Sequence, residues 1–191
     1  MTSDNSEVNF YLLEQDLRIP EIAAIGGVPE NIEPLDWLSG KKMPSPGPLL
    51  LPLSSTSGEL RTDIMGSLLT LFSDALKDAM SEFSIDNIDY FPVELEDRAA
   101  NEVETGYWLA NIVGLVSCLD VSRSIVVPRP SGAKGRLESF YIDPKRAASL
   151  KIFRLAEQPA LIIISHDLRK YLMSLSLAGV RMRHTKAYDG F

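Results

Sequence analysis

Two stretches of the chain, TLFSDALKDAMSEFSIDNIDYFP at 70–92 and IIISHDLRKYLMSLSLAGVRMRH at 162–184, carry one pattern 92 positions apart. Laid on one another, Ser165 falls on Ser73, Leu168 on Leu76, Arg169 on Lys77, Leu172 on Met80, Ser176 on Ser84, Leu177 on Ile85 and Val180 on Ile88. Each copy opens on a short apolar run, residues 68–72 or 160–164, of a length suited to a buried strand. A serine follows, and serine caps a helix because its side-chain oxygen accepts a bond from a free amide of the first turn. Asp74 and Asp167 come next, where the helix dipole favours an anion. Leu76, Ala79, Met80 and Phe83 then make one apolar helical face, and Leu168, Tyr171, Leu172 and Leu175 make its counterpart. The helices are expected to stop near Ser84 and Ser176. Asp86-Asn87 and Gly179 supply turns, and residues 88–90 and 180–182 resume as strands. The pattern therefore encodes strand, capped helix and strand twice, by duplication or by chance recurrence of a common element.

The first 58 residues read differently. Pro20, Pro29, Pro34, Pro44, Pro46, Pro48 and Pro52 interrupt any long helix and leave short strands and turns. Residues 10–13 suit a first strand and 49–53 an edge strand. Between the two copies, residues 107–120 are apolar almost throughout, which fits a buried strand or strand pair bent near Gly114, and equally a buried helix. Residues 127–136 read as a loop, with strands at 138–142 and 150–155. The expected fold class is α+β: a mixed or mainly antiparallel sheet with a few helices, including the two similar units. A proline-rich lobe over 1–58 is expected beside an α+β core over 59–191, the two forming one globular unit.

Composition narrows the setting. A single cysteine, Cys118, cannot close an internal disulfide, and its apolar neighbours predict a buried, inert thiol. The start of the chain is acidic where a signal peptide would be basic, and no apolar run approaches the roughly 18 residues of a membrane span, so a soluble cytoplasmic protein is expected. The formal charge of −7 hides an asymmetry: residues 1–120 hold 21 acids and 6 bases, residues 121–191 hold 5 acids and 13 bases. Fields of opposite sign either attract one another inside the fold or present two faces to partners.

No constellation has the geometry of an enzyme. Ser165-His166-Asp167 carries the letters of a triad, but consecutive residues at a helix start diverge, and capping accounts for the serine. Two histidines and one cysteine give no metal-ligand spacing, so no metal or other cofactor is expected. Ser131-Gly132-Ala133-Lys134-Gly135-Arg136 lacks the order of a phosphate loop and reads as surface. The carboxylates Glu94, Glu96, Asp97, Glu102 and Glu104 lie in a polar run without an apolar pocket to shift their pKa values, which makes a solvated loop the default. The scattered basic residues of the C-terminal third match no nucleic-acid motif, and nucleic-acid and membrane partners are not expected.

Phe91-Pro92-Val93, Tyr107 with Asn111, Leu119-Asp120 followed by Ser124, Ile152-Phe153-Arg154-Leu155 and Ser165 at the head of the last helix together resemble the eleventh family of polymorphic-toxin immunity proteins. The resemblance runs from about Asp63 to Val180, with fainter echoes at Tyr11-Leu12-Leu13-Glu14 and Trp37-Leu38-Ser39-Gly40. It implies a bacterial protein, often encoded beside a secreted toxin, that protects its producer by binding that toxin. It implies no catalytic residues.

The expected activity is therefore occlusion of a cognate toxin by contact, with self-association left open. Loops on a rigid sheet commonly carry recognition. The expected contact surface is the acidic set Glu94, Glu96, Asp97, Glu102 and Glu104, flanked by Tyr90, Phe91 and Tyr107 as anchors. The alternatives are a small hydrolase or transferase using the carboxylates of 94–104, and a structural or adaptor domain.

Overall fold

In the computed structural model, which describes residues 9–66, 69–128 and 135–190, the two similar stretches fold alike. The strands are β1 (Phe10–Gln15), β2 (Leu49–Pro52), β3 (Ile64–Met65), β4 (Leu71–Ser73), β5 (Ile88–Asp97), β6 (Glu102–Ile112), β7 (Leu115–Val116), β8 (Ile125–Val127), β9 (Arg136–Glu138), β10 (Ile152–Leu155), β11 (Gln158–Ser165) and β12 (Val180–His184). Helix α1 spans Asp74–Glu82 and α2 spans His166–Met173. The expected caps form: Ser73 Oγ accepts the Leu76 amide at 3.2 Å and Ser165 Oγ accepts the Leu168 amide at 3.3 Å. Leu76, Ala79 and Met80 of α1 and Leu168 and Leu172 of α2 are buried, as the spacing requires. Leu68, at the head of the first apolar run, lies outside the described residues.

Among the described residues, two five-stranded sheets and a small ribbon result. Their orders are β12-β1-β11-β10-β7, β2-β5-β6-β4-β3 and β8-β9, an α+β arrangement of mixed, mainly antiparallel sheets. Among the described strands only β7 on β10 and β2 on β5 pair parallel. The bend at Gly114 separates β6 from β7, so the apolar run at 107–120 is a strand pair and not a helix.

The likeness of the two units extends to register. Ser73 faces Tyr107 as Ser165 faces Phe10, and Phe72 faces Trp108 as Ile164 faces Tyr11. Pro92 faces Trp108 as His184 faces Tyr11, and Ile64 faces Phe72 as Ile152 faces Ile164. The third strand of the second unit is therefore β1, supplied from the N-terminal end of the chain, where the first unit uses β6. Loop bonds repeat as well: the Val113 amide donates to Asn87 and the Asp16 amide to Gly179, while Ser73 donates to Asp63 and Ser165 to Lys151. The two units are thus the same three-stranded arrangement about a capped helix, with the third strand drawn from opposite directions along the chain.

Both units bury their helices in one central cluster, in which Phe72, Leu76, Met80 and Ile112 meet Tyr11, Ile152, Ile164, Leu168 and Leu172. The opposite face of each sheet has its own cluster. Phe10, Leu12, Cys118, Phe140 and Phe153 fill one, and Ala23, Trp37, Leu49, Leu51, Val93 and Leu109 fill the other. The proline-containing segment thus covers the outer side of the second sheet. Arg154 is buried completely between the sheets, donating to the Pro159 carbonyl at 3.1 Å and to Thr70 Oγ1 at 3.3 Å. Desolvation pushes its pKa down to about 10.

Candidate functional site: an acidic hairpin

The acidic run is not a loop. Residues 88–97 and 102–112 form one long hairpin whose turn holds only residues 98–101, with Asn101 at a φ of +57°. Val93 and Leu95 alternate inward while Glu94 points outward, and that period of two is what the density of acids obscured in the sequence. Asp97 closes the turn by accepting the Ala99 and Ala100 amides, both at 3.1 Å. The Ala100 amide, with the Arg61 guanidinium beside it, holds the Asp97 carboxyl below the usual range.

The acids fall into two sets. Arg61 bridges Asp97 at 3.0 Å and Glu104 at 2.7 Å, tying the tip of the hairpin to the chain before β3. Glu96 pairs with the neighbouring Arg98 at 2.8 Å. Glu94 and Glu102 are exposed on opposite strands of the hairpin. The aromatic residues lie deeper. Tyr107 is buried and donates to the Thr62 carbonyl at 3.2 Å, and burial pushes its phenol up to about 12. Phe91 is half-buried against Trp37, ring centroids 5.4 Å apart. Tyr90 is half-buried beside Phe72, and desolvation raises its phenol well above the ordinary value.

Apolar surface missed in the sequence lies around the acids instead. Leu50 pairs in register with Glu94 and is 46% exposed; Val103 pairs with Glu96 and is 56% exposed. Pro92 is exposed, and it faces the half-buried Trp108. Trp108 is held at both ends: its Nε1 donates to Asp74 Oδ1 at 2.6 Å, and Lys77 Nζ lies 3.5 Å from its ring centroid. Each side chain that builds this face was readable only once β5 and β6 were in register.

The other motifs resolve as structure. Ser165 caps α2, His166 Nδ1 lies 3.4 Å from the Tyr11 hydroxyl and Asp167 pairs with Lys151 at 3.3 Å, so the three do not converge. Among the described residues no group of three or more His, Cys, Asp or Glu side chains is placed to hold a metal ion. Among the described residues no helix is long and apolar enough to cross a membrane. The glycine-rich basic segment falls on residues 131–134, outside those described, with Gly135 and Arg136 leading into β9. Cys118 is fully buried, and burial pushes its thiol up to about 12.

The model of the Immunity protein family (Imm11) matches residues 10–187. The chain belongs to the Imm11 family. No curated protein matches it. In this Imm11 chain the residues that carried the resemblance are packing and turn residues. Asn111 donates to the Lys41 carbonyl at 2.8 Å, joining β6 to the segment after Trp37-Leu38-Ser39-Gly40. Ser124 Oγ donates to the Asp120 carbonyl at 2.6 Å and accepts the Tyr141 amide at 3.0 Å. Arg154 spans the sheets.

Proposed function

We propose that this protein is the immunity partner of a bacterial toxin, binding it in the cytoplasm of the producing cell and occluding its active site or substrate cleft by contact, without chemistry of its own. Family membership supports the immunity role. The contact surface is the hairpin of β5 and β6. The single observation that carries this choice is its make-up: exposed Glu94, Pro92 and Val103 on one face of the hairpin, beside exposed Leu50 of the adjoining β2, with exposed Glu102 on the other face. Acids at the rim attract a basic toxin surface and speed association, while apolar groups supply the buried contact. Glu96, Asp97 and Glu104 belong to the same surface but contribute through their pairs with Arg98 and Arg61. Tyr90, Phe91 and Tyr107 stiffen it from beneath.

The test is co-expression with the toxin encoded beside its gene. Growth restored by this protein, together with a stable complex on size exclusion, is the expected result. Restored growth without any complex would favour a hydrolase or transferase acting through the carboxylates of 94–104.

A further inference from the structure

Strand β6 is longer than the strand that covers it. Leu71, Phe72 and Ser73 of β4 pair with Leu109, Trp108 and Tyr107, and at Asp74 the chain turns away into α1. From Glu102 to Gly106, β6 has β5 on one side, and among the described residues no backbone group bonds it on the other. Glu102, Val103 and Thr105 are all exposed.

The direction of the free groups follows from the opposite strand. The Leu53 amide donates to the Glu96 carbonyl at 2.9 Å, so the backbone of Glu96 faces β2 and not β6. Glu96 pairs in register with Val103. In an antiparallel ladder a residue opposite one that faces away makes no bond across that pair, so the N–H and C=O of Val103 point to the open edge. An edge with unpaired groups is a template for another strand. Beyond Glu104 the register shifts and Gly106 adopts a φ of +90° beside Asp74, which limits the usable edge to about three or four residues.

We infer that a short extended segment of the toxin, rich in Lys or Arg, adds as a strand to the Glu102–Thr105 edge of β6. Charge selects this occupant. Strand addition places the guest's side chains over both faces of the hairpin, where Glu94 and Glu96 lie on the Val103 side and Glu102 and Glu104 on the other. A second copy of this chain would bring the same acids against them and be repelled, so the edge is guarded against self-pairing while open to a basic strand. This rests on the immunity reading above and adds how the partner is held.

The decisive variant is Val103→Pro. Proline removes the amide that faces the edge, keeps every acid, and suits a strand position whose N–H does not bond the neighbouring strand. Val103→Thr keeps both the amide and the shape. With the purified toxin encoded beside the gene, Val103→Pro should weaken binding at least ~10-fold, while Val103→Thr stays within about two-fold. In the wild-type complex, exchange of the Val103 amide with deuterium should slow relative to the free protein. This second reading decides the matter even if the proline variant unfolds. A complex that forms with an unprotected Val103 amide would overturn strand addition and leave the immunity reading standing. Absence of any complex with the wild-type protein would overturn both.

Discussion

Lys77 Nζ sits 3.5 Å from the ring centroid of Trp108, and its counterpart in the second unit, Arg169, sits 4.4 Å from the ring of Tyr11. A helix cation thus covers the aromatic residue of the central strand in both units. Lys77→Met keeps the length of the side chain and removes the charge. It should lower stability by roughly 0.5–1 kcal/mol, the scale of a cation over an aromatic face at a partly exposed site. Denaturant titration with tryptophan fluorescence reads the loss and the altered ring environment together.

The two capping serines should not be equivalent. Each supports one amide of its helix, which is worth about 0.5–2 kcal/mol. Ser73 Oγ also donates to Asp63 Oδ1, and the other oxygen of Asp63 accepts the Ala178 amide from the loop before β12. Ser73→Ala therefore loosens a contact between the two units as well as a cap. Its unfolding midpoint should fall further than that of Ser165→Ala, as parallel denaturant titrations would show.

The repeated unit was legible because three local signals agreed: an apolar run, a serine and a 3.6-residue apolar face, at 68–83 and again at 160–175. The third strand of each unit was not legible as such. Phe10-Tyr11-Leu12 reads as a strand, but nothing local says that it inserts between β11 and β12, more than 150 residues away. At the candidate surface the failure was one of weighting. Val93-Glu94-Leu95-Glu96 alternates as a half-buried strand should, yet the surrounding acids favoured a loop reading. The partner of Asp97 and Glu104 is Arg61, a pairing that exists only after the hairpin folds back over the segment before β3.

Cys118 should resist modification. With its thiol pushed up to about 12, almost none is thiolate at pH 8, and no surface of the residue is open to a reagent. Labelling of the native protein should follow unfolding, with a rate that rises with denaturant. The folded state holds this proton more tightly than the unfolded chain does. The associated stability is full below about pH 9 and falls as pH rises toward about 12. Cys118→Ala should flatten that part of the stability profile.

Arg154 carries a desolvated charge with neutral partners, Pro159 O and Thr70 Oγ1. Burial disfavours the charged form, so much of what the side chain contributes is volume. Arg154→Met keeps most of that volume and sheds the charge, whereas Arg154→Ala leaves a cavity between the sheets. Melting curves should place the methionine variant above the alanine variant by about 2 kcal/mol or more. A methionine variant no more stable than the alanine variant would show that the volume of the side chain contributes little.

The central claim is that the hairpin meets a basic toxin surface. Glu94 and Glu102 are the acids to reverse, because both are exposed, whereas Asp97 and Glu104 hold Arg61. The association rate of Glu94→Lys/Glu102→Lys with the cognate toxin, measured by stopped flow across a salt series, tests it most directly. Slower association at low salt, a flatter dependence on ionic strength and an unchanged melting temperature are the predicted result. Association as fast as that of the wild-type protein at low salt would contradict it.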